Sequence, residues 1–361
     1  MSQKIIPTSY FSSIQALRAI AALLVLAFHQ YAVEGKYFGA HAIPHVLGLF
    51  GTCGVDLFFV ISGFVMTRVT RGRFASREQS KVFLLHRFLR VYPIYWFYSL
   101  IVLAVMLVMP QWVNATTGHQ ANLLSSFLLL PSSTLPLLLQ GWTLTYEMFF
   151  YLVFAGLVAF IAERFLPVAL LIWAILTGGL AFWLGRAQLT NPFLEVVSNP
   201  LVLEFIGGCF CALLCPAVKG ARSIAVLVIG LAALLAAFVI GEHAGLSAVV
   251  QWRALYFGVP ACLLVLGATS WEMNTGRTAP RFLRLLGDAS YSLYLSHVLV
   301  ISAVGRLYAH LAPAALPAAF GTLLCLCAAI ASGYLGYRLI EQPLNSKIRQ
   351  LVRRSKFMSA A

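Results

Sequence analysis

Ten apolar stretches of membrane-crossing length follow one another at 14–33, 46–67, 84–109, 141–162, 165–184, 200–217, 222–241, 252–270, 286–309 and 314–340. Composition agrees: the 361 residues are 61% hydrophobic and only 10% charged, with a mean hydropathy of +0.88, which excludes a soluble globular domain. A shorter run, 122–140, is broken by Pro131 and Pro136 and reads as a re-entrant or interfacial piece. The chain carries no Pro/Gly/Ser linker and no long repeat. The expected fold is therefore one all-α membrane domain over 1–361, with about ten transmembrane helices, a polar pocket within the bundle and a basic tail at 341–361.

The formal net charge of +14 points to membrane orientation and not to nucleic acid, because basic residues collect at the cytoplasmic ends of spans. A cytoplasmic N-terminus puts twenty Lys and Arg residues inside and four outside (Lys36, Arg186, Arg253, Arg306), with Arg18 inside a span. An odd number of spans would scramble that asymmetry, so both termini are expected in the cytoplasm, in a multi-pass protein surrounded by lipid. A cleaved leader is not expected: the small residues Ala40 and Ala42 follow an apolar region that is too long and is interrupted by Arg18. The seven cysteines lie in apolar stretches, and their CxC spacings suit small packed hydrophobes better than a metal site.

Ionisable residues inside the spans narrow the function. Arg18 and His29 both fall in SIQALRAIAALLVLAFHQY, where a buried Arg costs roughly 3 kcal/mol unless it faces a protein interior. Eleven residues of helix advance about 16 Å and turn about 20° past three full turns, so the two side chains share a face. Asp56 in GVDLFFVISGF, Glu147 in GWTLTYEMFFY and His297 in LGDASYSLYLSH also lie within apolar spans. Each alone could be a snorkelling cation or a helix–helix hydrogen bonder. Together they would cost on the order of 10 kcal/mol without mutual pairing or a wet cavity, which favours a pocket between helices.

Arg87 and Arg90 are three residues apart at the cytoplasmic end of the third span, placed to clamp a phosphate-rich ligand, with Pro93 able to open a cleft beside them. Gly51, Gly54, Ser62 and Gly63 permit close helix approach around Asp56, whose partner could be His29 or an inner Arg. Trp142, Thr143, Tyr146 and Glu147 gather near the outer end of the fourth span. Ser290, Tyr294 and His297, spaced by four and three, form one stripe that could hydrogen-bond a sugar or a cofactor, or tie helices together.

These strings, in this order and on these spans, resemble the acyltransferase-3 family of integral membrane acyltransferases, and IQALRAIAALLVLAFHQY is especially similar to the start of exopolysaccharide O-acetyltransferases. The resemblance covers nearly the whole chain. It rests on the Arg18-to-His29 spacing, the GVDLFFVISGF string, the Arg87/Arg90 pair, and the blocks Trp142–Glu147 and Ser290–His297. It implies ten helices, acetyl-CoA or another acyl-CoA as a donor used from the cytoplasm, no metal, and a carbohydrate hydroxyl as acceptor, on exopolysaccharide, O-antigen or a lipid-linked oligosaccharide. Some relatives add a C-terminal hydrolase-like domain; the sequence ends at Ala361 without one, so a self-sufficient enzyme is expected.

On that reading Arg87, Arg90 and Arg18 hold the CoA headgroup, and its extended pantetheine arm reaches into the bundle. His29 acts as general base or carries the acyl group itself, both roles an imidazole can fill near neutral pH. Asp56 or Glu147 orients or stabilises it, and Trp142, Tyr146, Ser290, Tyr294 and His297 meet the acceptor. Two other classes are compatible with buried ionisable groups: a proton-coupled transporter of a small polar solute, for which no repeated pair of broken helices is evident, and a non-catalytic assembly partner whose polar groups only knit helices.

Overall fold

The computed structural model describes residues 11–113, 121–184, 191–245, 249, 252–311 and 316–354. Every regular element among these residues is helical, and nine helices are long and apolar enough to cross a membrane. The first, α1 (Ser12–Tyr37), opens on four bonds from the backbone N–H and hydroxyl groups of Ser12 and Ser13 to the Glu272 carboxylate. That buried anion satisfies free N–H groups where the helix dipole favours negative charge. At the other end the buried Glu34 accepts from the backbone N–H groups of Ala42 and Ile43 and from the Thr322 hydroxyl.

The second apolar stretch departs from the expected single crossing. It is divided into α2 (His45–Phe50) and α3 (Cys53–Val69), and α3 alone, at 17 residues, rises only about 26 Å. Gly51 lies between them against the backbone carbonyl of Leu24, where a Cβ would not fit. This division is why nine helices, and not ten, have the length of a span.

Next comes α4 (Arg77–Val108), capped by the Ser76 hydroxyl accepting from the Gln79 N–H at 3.3 Å. It runs on through Pro93, beside which Tyr291 donates to the Val91 carbonyl at 2.8 Å. The segment expected to be re-entrant or interfacial contains the short α5 (Leu123–Leu128), which ends on Leu129 in the left-handed region. Tyr92, Tyr95 and Trp96 of α4 donate to the carbonyls of Leu128, Ser126 and Phe127, so irregular backbone in an apolar setting is satisfied by aromatic donors.

The chain continues through α6 (Gly141–Phe160), α7 (Leu166–Leu184), α8 (Pro192–Ser198), α9 (Leu201–Leu214) and α10 (Ala221–Ala244). A π turn, Ala254–Gly258, leads into α11 (Val259–Thr275), followed by α12 (Arg281–Asp288), α13 (Ser290–Leu311) and α14 (Ala318–Gly336). A second π turn joins α14 directly to α15 (Gln342–Arg354), so the expected basic tail begins as a helix.

Helix α1 is the axis of the bundle and packs on α2, α3, α11, α12, α13 and α14. Helices α3 and α9 approach closely, Gly63 lying on the Phe205 carbonyl and Gly208 on the Val60 carbonyl with no room for a Cβ on either. The largest hydrophobic cluster joins α4, α6 and α9 through Tyr95, Phe150, Phe154 and Phe205. Ile224, Val228, Leu231 and Leu235 of α10 point outwards, as a lipid-facing helix requires.

Candidate active site

Helices α1, α3, α4, α6 and α13 enclose a cavity of about 100 Å³. Two turns of α6 carry Thr143, Glu147 and Tyr151 along its wall, and α13 adds Ser290, Tyr291 and Tyr294. Arg18, Arg87 and Arg90 line it as well; Arg90 is exposed, while the buried Arg87 Nε has no hydrogen-bond partner among the described residues. The Arg87 guanidinium lies over the Phe83 and Tyr151 rings at 5.5 and 5.8 Å. Arg18 donates from Nε to the Ser290 hydroxyl at 3.1 Å, and Glu147 accepts from Ser62 at 2.9 Å and from Tyr151. An uncommitted buried guanidinium donor beside two further arginines suits a phosphate-bearing ligand.

A second, smaller chamber of about 60 Å³ adjoins the first and shares Val55 and Tyr294 with it. Its walls include His29, Thr52, Gln140 and Trp142. The boundary is fixed by hydrogen bonds: Thr143 donates to the Gln140 carbonyl at 2.9 Å, which leaves Tyr294 as the donor in its 2.8 Å bond to the Thr143 hydroxyl. His29 therefore stands three turns along α1 from Arg18, separated from the arginine cavity by little more than a tyrosine and a valine.

The tautomers follow from the hydrogen bonds. His297 Nδ1 is 3.2 Å from the Leu293 carbonyl, so it carries the proton and leaves Nε2 as an acceptor. His29 Nδ1 is 2.9 Å from the Val25 carbonyl and 3.2 Å from His297 Nε2, and its N–H serves both. Among the described residues His29 Nε2 has no hydrogen-bond partner, and in the neutral ring it carries the lone pair. A neutral imidazole held through Nδ1 with Nε2 free has the form required of a general base.

The structure distributes the remaining sequence candidates unevenly. Asp56 does not reach His29 or an inner arginine: both its oxygens are taken by Arg253, at 2.6 and 2.7 Å, and Arg253 also binds the Thr52 carbonyl and hydroxyl. Asp56 belongs to the first turn of α3, nearer a helix end than an unbroken second span implies. Glu147 lines the arginine cavity and hydrogen-bonds Ser62 and Tyr151, while the side chain that touches His29 is His297. Ser290, Tyr294 and His297 keep their common stripe, but their polar atoms meet Arg18, Thr143 and His29 respectively. Tyr146 accepts from Asn199 at 3.0 Å and, with Trp142, lines a third and larger cavity.

Sequence reasoning missed Arg253 as the partner of Asp56, although the unpaired carboxylate in an apolar span was a signal that a cation had to exist. It also missed Gln140, which lies in a proline-broken run without helical periodicity. Among the described residues no group of three or more His, Cys, Asp or Glu is placed to hold a metal ion.

Comparison with known proteins bears on this arrangement. No solved structure matches the chain. The "Exopolysaccharide production protein ExoZ" of Rhizobium meliloti (strain 1021) is 33% identical over 305 residues, covering 81% of this chain and 89% of the relative. The family profile described as an acyltransferase domain matches residues 11–336, which contain every cavity residue named above. The chain belongs to the acyltransferase-3 family.

Proposed function

We propose that this protein is a membrane O-acyltransferase that moves an acetyl group from cytoplasmic acetyl-CoA to a hydroxyl of a cell-surface or lipid-linked carbohydrate. The observation that carries the reading is the adjacency of an arginine-lined cavity, whose Arg87 Nε has no partner among the described residues, to a chamber lined by His29. The donor's phosphates bind at Arg90, Arg87 and Arg18, and its pantetheine arm lies along the cavity wall formed by α6 and α13. The thioester then arrives near Tyr294, at the boundary with the chamber of His29.

His29 Nε2 takes the proton of the acceptor hydroxyl as its oxygen attacks the thioester carbonyl. The carbon–sulfur bond breaks, and the same imidazole returns the proton to the departing CoA thiolate. His297 holds the ring in the reactive tautomer through its Nε2. The bond of Tyr294 to Thr143 closes the passage between cavities, and its rotation admits the acyl group. The polypeptide crosses the inner membrane ten times, the α2–α3 pair forming one crossing, and both termini lie in the cytoplasm.

Mass spectrometry of surface polysaccharide from cells with and without the protein tests the reading. The predicted result is loss of O-acetyl groups, restored by wild-type protein and not by His29→Ala. Identical acetylation in both strains would contradict it.

A further inference from the structure

A further cavity, about 650 Å³, lies under the 129–136 loop at the start of α6, and neither His29 nor an arginine is among its lining residues. That volume falls within the range of small-molecule sites. Its walls offer the hydroxyls of Ser132, Ser133 and Thr134, the Glu195 carboxylate and the rings of Trp142 and Tyr146. Hydroxyls and a carboxylate can hydrogen-bond sugar hydroxyls, and the aromatic rings offer flat apolar faces to sugar C–H groups. Leu139 and Trp142 are common to this cavity and to the chamber of His29, so the two spaces are adjacent, with these side chains between them.

Gln140, between the shared residues Leu139 and Trp142 in sequence, lines the chamber of His29. It is 2% exposed, yet among the described residues its buried Nε2 and Oε1 have no partner. A buried amide with neither end bonded is uncommon in a native protein and signals a missing partner. A group reaching this amide from the outer cavity has to displace Trp142 or Leu139, the side chains common to both spaces.

We propose that the cavity beneath the 129–136 loop is the binding site for the carbohydrate acceptor, and that Gln140 hydrogen-bonds the sugar so that one hydroxyl faces His29. The inference rests on the acyl-transfer reading above and adds the location of the acceptor and the residue that positions it. The amide supplies one donor and one acceptor to neighbouring sugar hydroxyls, while the reacting hydroxyl gives its proton to His29.

The test uses full-length protein in proteoliposomes, radiolabelled acetyl-CoA, and as acceptor the producing cell's own exopolysaccharide stripped of esters by mild base. Gln140→Leu keeps the volume and removes both polar groups; it should raise the acceptor KM about tenfold, the scale of one or two neutral hydrogen bonds, with the acetyl-CoA KM unchanged. Ser133→Trp, at an exposed loop position, fills the outer cavity without touching the interior and should raise the acceptor KM in the same way. An unchanged acceptor KM in both variants, or a rise confined to the acetyl-CoA KM, would overturn the acceptor site while leaving acyl transfer standing. No transfer by the wild-type protein would overturn both.

Discussion

His297 and Asp56 separate two roles that an ionisable residue in a membrane span can have. His297 touches the proposed base directly, so His297→Phe should lower kcat about tenfold or more by misorienting His29, with both KM values unchanged. His297→Gln, which retains an acceptor, should recover part of the rate; steady-state kinetics of the two variants check this. Asp56, buried and bound by Arg253, is read as structural. Arg253→Met would strand that carboxylate and should cost about 3–5 kcal/mol, seen as early loss of folded protein on heating in detergent, whereas the double variant with Asp56→Leu should regain much of it. The Arg18–His29 spacing and the Arg87/Arg90 pair were legible because helical geometry fixes relations within one helix. Partners such as His297 for His29 or Arg253 for Asp56 were not, because their depth depends on where each helix begins.

At the scale of elements, hydropathy located the helices long and apolar enough to cross a membrane but not the break within the second stretch. Gly51 interrupts that stretch through its contact with α1, a tertiary cause that apolarity does not register. The small residues of GTCGVDLFFVISGF were rightly read as packing sites: Gly51 and Gly54 meet α1, and Gly63 meets α9. Replacing Gly208 with Val should therefore force α3 and α9 apart and cost about 1–3 kcal/mol by overpacking, measured as a lowered apparent Tm. The same substitution at Gly179, which has open space around its Cβ position, should be nearly neutral. The proline-broken 122–140 run was recognised as something other than a crossing, but its attachment to α4 through Tyr92, Tyr95 and Trp96 requires three aromatic donors to meet three carbonyls in space.

For the whole molecule, the cavities form a sequence: arginines, a tyrosine boundary, the His29 chamber, then the hydroxyl-lined space beneath the loop. Such an order lets a donor and an acceptor approach one imidazole from opposite directions without sharing a route. It also requires the orientation that the basic residues indicate, so a thiol reagent unable to cross the membrane should label Ser133→Cys from outside and a cysteine added after Ala361 only once the membrane is opened. The central claim is that His29 carries the transfer chemistry. Its most direct test is the initial rate of radiolabelled acetyl transfer from acetyl-CoA to de-esterified polysaccharide by wild-type and His29→Ala protein in proteoliposomes. The account predicts that the variant inserts normally and is slower by 10²- to 10⁴-fold; a rate equal to that of the wild type would contradict it.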